Sequence, residues 1–192
     1  MLELILEENF PKAGKLEDGK RVMIRPLIAQ DEQALNEFFS SMPEEDVTYL
    51  RDDVKDPQVI KHWCQSLDYE TTLPLLADLE GKIIADATLH QEKRGWKSHI
   101  GTMRVSIHPD YRGKGVGRLL ISELIQIALD IGLVKLDAEF IAEQSRSIAI
   151  FERLGFVKMA VLPQHVKDLK GENHDLIIMV YDLRATEHYE AD

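Results

Sequence analysis

Arg104–Leu120 reads RVSIHPDYRGKGVGRLL, and the rest of the chain is interpreted from it. Met103–Ile107 alternates and is rich in β-formers, which predicts a strand. His108-Pro109-Asp110 ends it, because Pro109 cannot donate to a ladder. Arg112-Gly113-Lys114-Gly115-Val116-Gly117 then places three glycines at alternate positions. From Val116 the period changes: Val116, Leu120, Leu124, Ile127 and Ile131 recur at helical spacing. The order is strand, glycine-rich turn, helix.

Such a turn suits an anion. The first amides of a helix lack intrahelical partners, and the macrodipole places partial positive charge there. Glycines let a phosphate approach the backbone closely. Arg112, Lys114 and Arg118 add cationic charge, so a pyrophosphate is the natural guest. The Walker pattern fails, because Lys114 is followed by Gly115 rather than Ser or Thr. The dinucleotide fingerprint fails, because Arg118 stands where its third glycine would. What fits is Arg/Gln-x-x-Gly-x-Gly/Ala, at Arg112, Gly115 and Gly117.

That pattern resembles the acyl-CoA loop of the GNAT superfamily of N-acetyltransferases. The resemblance implies that acetyl-CoA lies against Arg112, Gly113, Lys114, Gly115, Val116, Gly117 and Arg118. It also implies that the strand end at Val105, Ser106 and Ile107 splays from its neighbour, leaving backbone groups for the pantetheine arm, as in strand addition at an edge. An amide there would polarise the thioester carbonyl.

A second stretch, Gln144–Phe156, resembles the other GNAT signature, roughly Asn-x-x-Ala-Ile-x-Leu-Tyr-Glu-Lys-Leu-Gly-Phe. Two positions depart from it. The Asn that commonly contacts the CoA arm is Gln144, and the Tyr often credited with protonating the departing thiolate is Phe151. A thiol pKa of ~8.5 leaves departure as the thiolate open. The glutamate that some members place on the Met103–Ile107 strand is Thr102 here. In the ribosomal-protein branch the base is the Glu of Leu-Glu-Val, five residues before the motif Asn. The matching residue is Glu139, the candidate general base, with His99 and His90 behind it.

The 192 residues suit one domain, with a core of about 20–183, an N-terminal extension over 1–19 and a polar tail over 184–192. A hydrophobic share of 44% and a charged share of 30% are ordinary for a globular chain. A net charge of −11 argues against nucleic acid or an anionic membrane as partner. The single cysteine, Cys64, excludes an internal disulfide, and no electropositive setting marks it as reactive. With no long apolar run or leader, the cytoplasm is the expected location. His90, His99 and His108 fall on separate strand ends and loops, so no metal is expected.

Along the chain, Met1–Glu8 alternates as an edge strand could, and Asn9–Gly19 holds turn residues. Lys20–Pro26 predicts a strand and Asp31–Ser41 a helix. Met42–Pro57 is an acidic connection that serves either as a field for cationic amines or as a solvated loop. Pro57–Tyr69 predicts a helix, and Leu73–Leu79 and Lys82–Leu89 a hairpin about Glu80-Gly81. A polar loop spans His90–Lys97, and His99–Ile107 feeds the glycine turn. Gly132 stops the long helix. Strand Val134–Ile141, helix Glu143–Leu154, strand Phe156–Leu162, a polar excursion over Pro163–Asn173 and strand His174–Leu183 follow. The fold class is therefore α/β, layered in the α+β manner: a GNAT-like mixed, largely antiparallel central sheet flanked by helices. The expected activity is acetyl transfer from acetyl-CoA directly to a primary amine, by a monomer or homodimer. A GNAT-fold acyl-CoA sensor with little turnover is the alternative. The acceptor and the acyl-chain preference stay open.

Overall fold

The predicted strands pair into one mixed sheet. A computed structural model describes residues 2–187 except 49, 51 and 169. Among these, the sheet has eight strands in the order β1-β2-β3-β4-β5-β6-β8-β7. The strands are β1 Lys12–Lys15, β2 Arg21–Pro26, β3 Thr72–Leu79, β4 Lys82–Gln91, β5 Ile100–Ile107, β6 Lys135–Ile141, β7 Val157–Lys167 and β8 Asn173–Asp182. Every neighbouring pair is antiparallel except β5 and β6. The single parallel contact follows from the crossover through the long helix, since parallel neighbours need such a connection.

The helices are α1 Leu2–Asn9, α2 Glu32–Ser41, α3 Glu44–Val47, α4 Pro57–Gln65, α5 Val116–Asp130, α6 Ser145–Arg153 and α7 Arg184–Glu187. Strand alternation divides their partners between two faces. Ala85, Ala87 and Leu89 of β4 and Leu136, Ala138 and Phe140 of β6 join the core under α5, with Ile148 and Phe151 of α6. On the opposite face Leu35, Phe38 and Phe39 of α2 and Ile60 and Cys64 of α4 pack with Leu27, Leu76 and Ile83. Each large side chain buried this way stabilises by roughly 1.5–3 kcal/mol.

Four expectations are corrected. The alternation in Met1–Glu8 predicts a strand; Met1 lies outside the described residues, and Leu2–Asn9 form a helix in which Leu2 and Leu6 lie one turn apart, both buried, with Ile5 packed beside them. A strand, β1, lies within the stretch read as turns and pairs antiparallel with β2. The excursion at Pro163–Asn173 is mostly strand, because a register shift between Leu162 and Val166, with Gln164 at φ 48, absorbs the irregularity. The helix from Pro57 stops at Gln65, so 66–69 form a connection instead. Of the tail, residues 188–192 lie outside the described residues.

Two polar clusters fix element ends. Arg25 donates to both Asp31 oxygens at 2.7 and 2.8 Å, and to Asp78 Oδ2 at 3.0 and 3.2 Å. Asp31, 7% exposed, also accepts the Ile28 amide at 2.9 Å. One guanidinium thus ties β2, the entrance of α2 and the end of β3. The second cluster holds the β7–β8 hairpin, where His174 pairs with Glu143 at 3.1 Å and Asp168 at 3.3 Å. The hydrogen bond with Glu143 holds the imidazole above its ordinary value, helped by Asp168. The same bond holds Glu143 down. Burial pushes Asp168 up, but the Glu172 amide and the imidazole outweigh it and leave it lowered.

The sign of the pH dependence follows. A raised imidazole stabilises fully below its unfolded value, roughly pH 6.5, and the contribution is lost as pH rises through the folded value. Lowered carboxylates stabilise above their unfolded values, roughly pH 4, and lose this as pH falls. The midpoint difference between wild type and His174→Gln in urea is therefore expected to be largest between roughly pH 4.5 and 6.5. It should shrink in high salt, since Glu143 is exposed. A difference that stays flat from acid to alkaline pH would show that the cluster contributes nothing through charge.

Candidate active site

The parallel contact of β5 with β6 runs over four register pairs, from Ile100↔Lys135 to Met103↔Ala138. Past it the strands part. β5 continues on β4 as far as Ile107↔Ala85, and β6 continues on β8 as far as Ile141↔Leu176. Arg104–Ile107 therefore keep a ladder on one side only. Val105, Ser106 and Ile107 sit in this wedge, and the Ile107 carbonyl accepts from Arg112 Nε at 3.2 Å.

The glycine turn follows directly. His108 Nδ1 accepts the Asp110 amide at 3.3 Å and starts a single 3-10 turn over Pro109–Tyr111. Gly113 at φ 71 and Gly115 at φ 84 are left-handed, and Gly115 caps α5. A Cβ at Gly113 would meet nothing within 4 Å, and one at Gly115 would meet the Glu17 side chain at 3.4 Å. Gly117 carries a packing requirement instead: a Cβ there would stand 2.7 Å from Ile107 Cδ1. The missing side chain lets α5 sit close on β5, which brings the helix terminus to the wedge.

The cations around this turn are partly engaged. Arg112 pairs with Asp46 of α3 at 2.7 Å, and Lys114 lies 3.5 Å from Asp18 and 5.1 Å from the Tyr111 ring centre. Arg118 is exposed. The acidic connection thus uses Asp46 to dock α3 on the loop, while Asp52 turns to a cavity.

That cavity, about 430 Å³, lies on the α2–α4 side of the sheet. Its floor is Asp86, Thr88 and His90 of β4 with Arg104 and Ser106 of β5, and its apolar wall includes Leu35, Phe39, Trp63 and Leu67. Register places Asp86 opposite Ser106 and Thr88 opposite Arg104. Asp86 is half-buried, and the surface it keeps belongs to the cavity. Burial pushes its carboxyl up to about 7, against the pull of the Thr88 hydroxyl. Cys64 is buried, and its thiol is pushed up to about 11 by burial, with Glu32 and Asp31 adding to it, so it does not suit a nucleophile.

The remaining expected site residues are dispersed. Gln144 immediately precedes α6, and its Oε1 accepts the Ile141 amide at 3.0 Å. Phe151 is 2% exposed and packs edge-on against Phe140 and Phe156, with ring centres 4.9 and 4.8 Å away. Glu139 is exposed on β6, one residue past the last pair with β5. Because Ala138 and Phe140 enter the α5 core, Glu139 points to the same face as Asp86, yet it does not line the cavity. His90 lines the floor, whereas His99 lies in the loop before β5. Asp86 is the residue that sequence reasoning missed. Its signal was a lone carboxylate inside the apolar run Ile83-Ile84-Ala85-Asp86-Ala87. Among the described residues no group of three or more His, Cys, Asp or Glu side chains could hold a metal ion. No helix there is long and apolar enough to cross a membrane.

The wedge, the glycine turn at a helix terminus and the adjoining cavity define a class. The model of the acetyltransferase (GNAT) family matches residues 32–156. The chain belongs to that family. It is 32% identical to the L-amino acid N-acyltransferase MnaT of Escherichia coli strain K12 over 62% of its own length and 69% of that protein's. It is also 32% identical to the ribosomal protein bS18-alanine N-acetyltransferase of Salmonella typhimurium, over 39% of this chain and 50% of that one. The chain thus spans from half to about two thirds of these relatives. The crystal structure of ribosomal-protein-S5-alanine acetyltransferase from Vibrio fischeri superposes with a TM-score of 0.76 at 19% identity, covering 89% of this chain and 96% of that one. At that identity the likeness is one of fold.

Proposed function

We propose that this protein is an acetyl-CoA-dependent N-acetyltransferase that moves the acetyl group directly to a primary amine, without an acyl-enzyme. One observation carries this reading. Arg104 and Ser106 lie in the one-sided stretch of β5 and also form part of the cavity floor. A thioester held along that strand edge would face an amine held in the cavity.

The backbone of Val105–Ile107 would hold the pantetheine arm by strand addition. The left-handed Gly113 and Gly115 leave the turn open for the pyrophosphate, at the amino end of α5. Gly117 sets the helix distance, and Lys114, Val116, Arg118 and the Arg112–Asp46 pair border the same turn. Gln144 lies at the start of α6, and Phe151 supports that helix from within the core while offering no proton. Sulfur therefore departs as the thiolate or is protonated by water, which a thiol pKa of ~8.5 allows. The activities named for the two relatives, N-acyl transfer to L-amino acids and N-acetyl transfer to an alanine of a ribosomal protein, support this reading.

Calorimetry with acetyl-CoA, followed by free-thiol release across an amine panel, tests the reading. Saturable binding and amine-dependent thiol release are expected. Binding without thiol release from any amine would favour the acyl-CoA sensor instead, and no binding at all would reject both.

A further inference from the structure

The cavity differs sharply from floor to wall. The floor is polar: Asp86, Thr88 and Ser106 stand together, and only the Asp86 carboxylate among them can accept a proton from an ammonium group. The wall facing it carries Leu35 and Phe39 of α2, Trp63 of α4 and Leu67 of the connection that follows. A volume of about 430 Å³ lies toward the small end of the roughly 300–1,000 Å³ typical of ligand pockets. Such a chamber disfavours a long polycation: charges seated beside the apolar wall would be stripped of water, and only those reaching Asp52 or Asp68 would be compensated.

We infer that the acceptor is a small primary amine with one compact apolar body, seated whole in this cavity with its nitrogen against Asp86, and that Asp86 is the general base. The inference rests on the acetyl-transfer reading above. Register supports the placement. Asp86 is the direct cross-strand neighbour of Ser106, so its backbone lies one strand spacing, about 4.8 Å, from β5, and the thioester would lie along the other side of that same strand. Glu139 lies on the far side of the wedge, outside the cavity.

Protons balance as follows. The Asp86 carboxylate takes one proton from the bound ammonium ion. The freed nitrogen lone pair forms the C–N bond to the thioester carbonyl carbon, and the C–S bond breaks with its electron pair leaving on sulfur. The nitrogen sheds its second excess proton to water, and water protonates the departing thiolate. Asp86 then returns its own proton to water.

A burial-raised carboxyl near 7 matches this role, since a base works best with a pKa near the operating pH. The other charged groups lining the chamber are Arg104 and His90 on the floor, and Asp52, His62 and Asp68 around its rim.

The test uses the full chain, acetyl-CoA and thiol release. The acceptors are 3-methylbutylamine, 2-phenylethylamine, spermidine and a lysine-containing peptide. The apolar amines are expected to exceed spermidine and the peptide by at least about tenfold in kcat/KM, the value of roughly one or two buried methylenes. Asp86→Asn is expected to lower kcat/KM by about 10²–10⁴, the range for loss of a general base, with calorimetric acetyl-CoA affinity unchanged. It should also abolish an acidic limb near pH 7 in the wild-type profile.

Several results would overturn the inference: spermidine or the peptide as the best acceptor, a fully active Asp86→Asn, or no turnover of either apolar amine by a protein that binds acetyl-CoA. A larger loss in Glu139→Gln than in Asp86→Asn would do the same. If Asp86→Asn does not fold, the acceptor ranking and the wild-type pH profile still decide. Failure of acetyl-CoA to bind wild type would instead strike the earlier reading.

Discussion

Replacing Arg25 by Ala is expected to destabilise the fold by about 3–5 kcal/mol, the cost of breaking a buried ion pair by removing one partner. Asp31 is 7% exposed and would keep a carboxylate with no cation beside it. Its remaining partner, the Ile28 amide, cannot neutralise it. Asp78 would lose the same guanidinium, so one truncation strands two carboxylates. Arg25→Lys is expected to recover less than half of the loss, because an ammonium cannot serve Asp31 with two parallel bonds and still reach Asp78. Guanidinium chloride unfolding measures both, and a midpoint shift without a change in slope is the expected form. A loss below about 1 kcal/mol in Arg25→Ala would mean that water screens the cluster like an ordinary surface pair. Because the cluster anchors the entrance of α2, its loss would also loosen the wall that carries Leu35 and Phe39.

The second large effect is expected at Gly117. A Cβ there already approaches Ile107 Cδ1 to 2.7 Å, and Ile150 Cδ1 lies 4.0 Å away. In Gly117→Ala the end of the isoleucine can rotate aside, at a cost of about 1 kcal/mol. Gly117→Val adds two further methyls beneath the helix, where overpacking costs about 1–3 kcal/mol. It also pushes α5 away from β5, which separates the helix terminus from the wedge. Acetyl-CoA affinity is therefore expected to fall more than tenfold in a variant that still folds. By contrast, Gly113→Ala meets no neighbour and bears only the strain of a left-handed residue, about 1–2 kcal/mol. Calorimetry on the three variants separates these outcomes. Equal affinity for Gly117→Val and wild type would show that helix spacing is irrelevant to the ligand. Combining Gly117→Ala with Ile107→Val should restore near-normal stability, since the second change removes the offending methyl.

Legibility in the sequence tracked the range of the forces involved. The strand, glycine turn and helix across Arg104–Leu120 were readable because each is set within a few residues. So was the packing role of Phe151, held by Phe140 and Phe156. LELILEE was misread because its leucines satisfy a period of two and a spacing of four at once. What decided was the hydrophobic surface that Leu2 and Leu6 meet, which lies elsewhere in the chain. The strand after Phe156 was cut short at Pro163, whose turn signal was real but was absorbed by a bulge rather than a loop. Asp86 was passed over because nothing in its own segment marks it. Its enclosure is made by α2 and α4, some tens of residues earlier. Glu139 was singled out by motif spacing, which fixes position along β6 but not which chamber a side chain enters.

The short parallel contact between β5 and β6 has a mechanical side. It is the seam between two halves of the sheet, one built from β1–β5 and the other from β6, β7 and β8. Four register pairs stitch it, with the Val134 amide donating to the His99 carbonyl just before them, and all lie at one end. The other end gapes like a partly opened zip. A molecule laid in that gap along the strand edge would close the remaining length from within. Occupancy and the stiffness of the whole sheet would then become one variable, and such a molecule would serve as a splint.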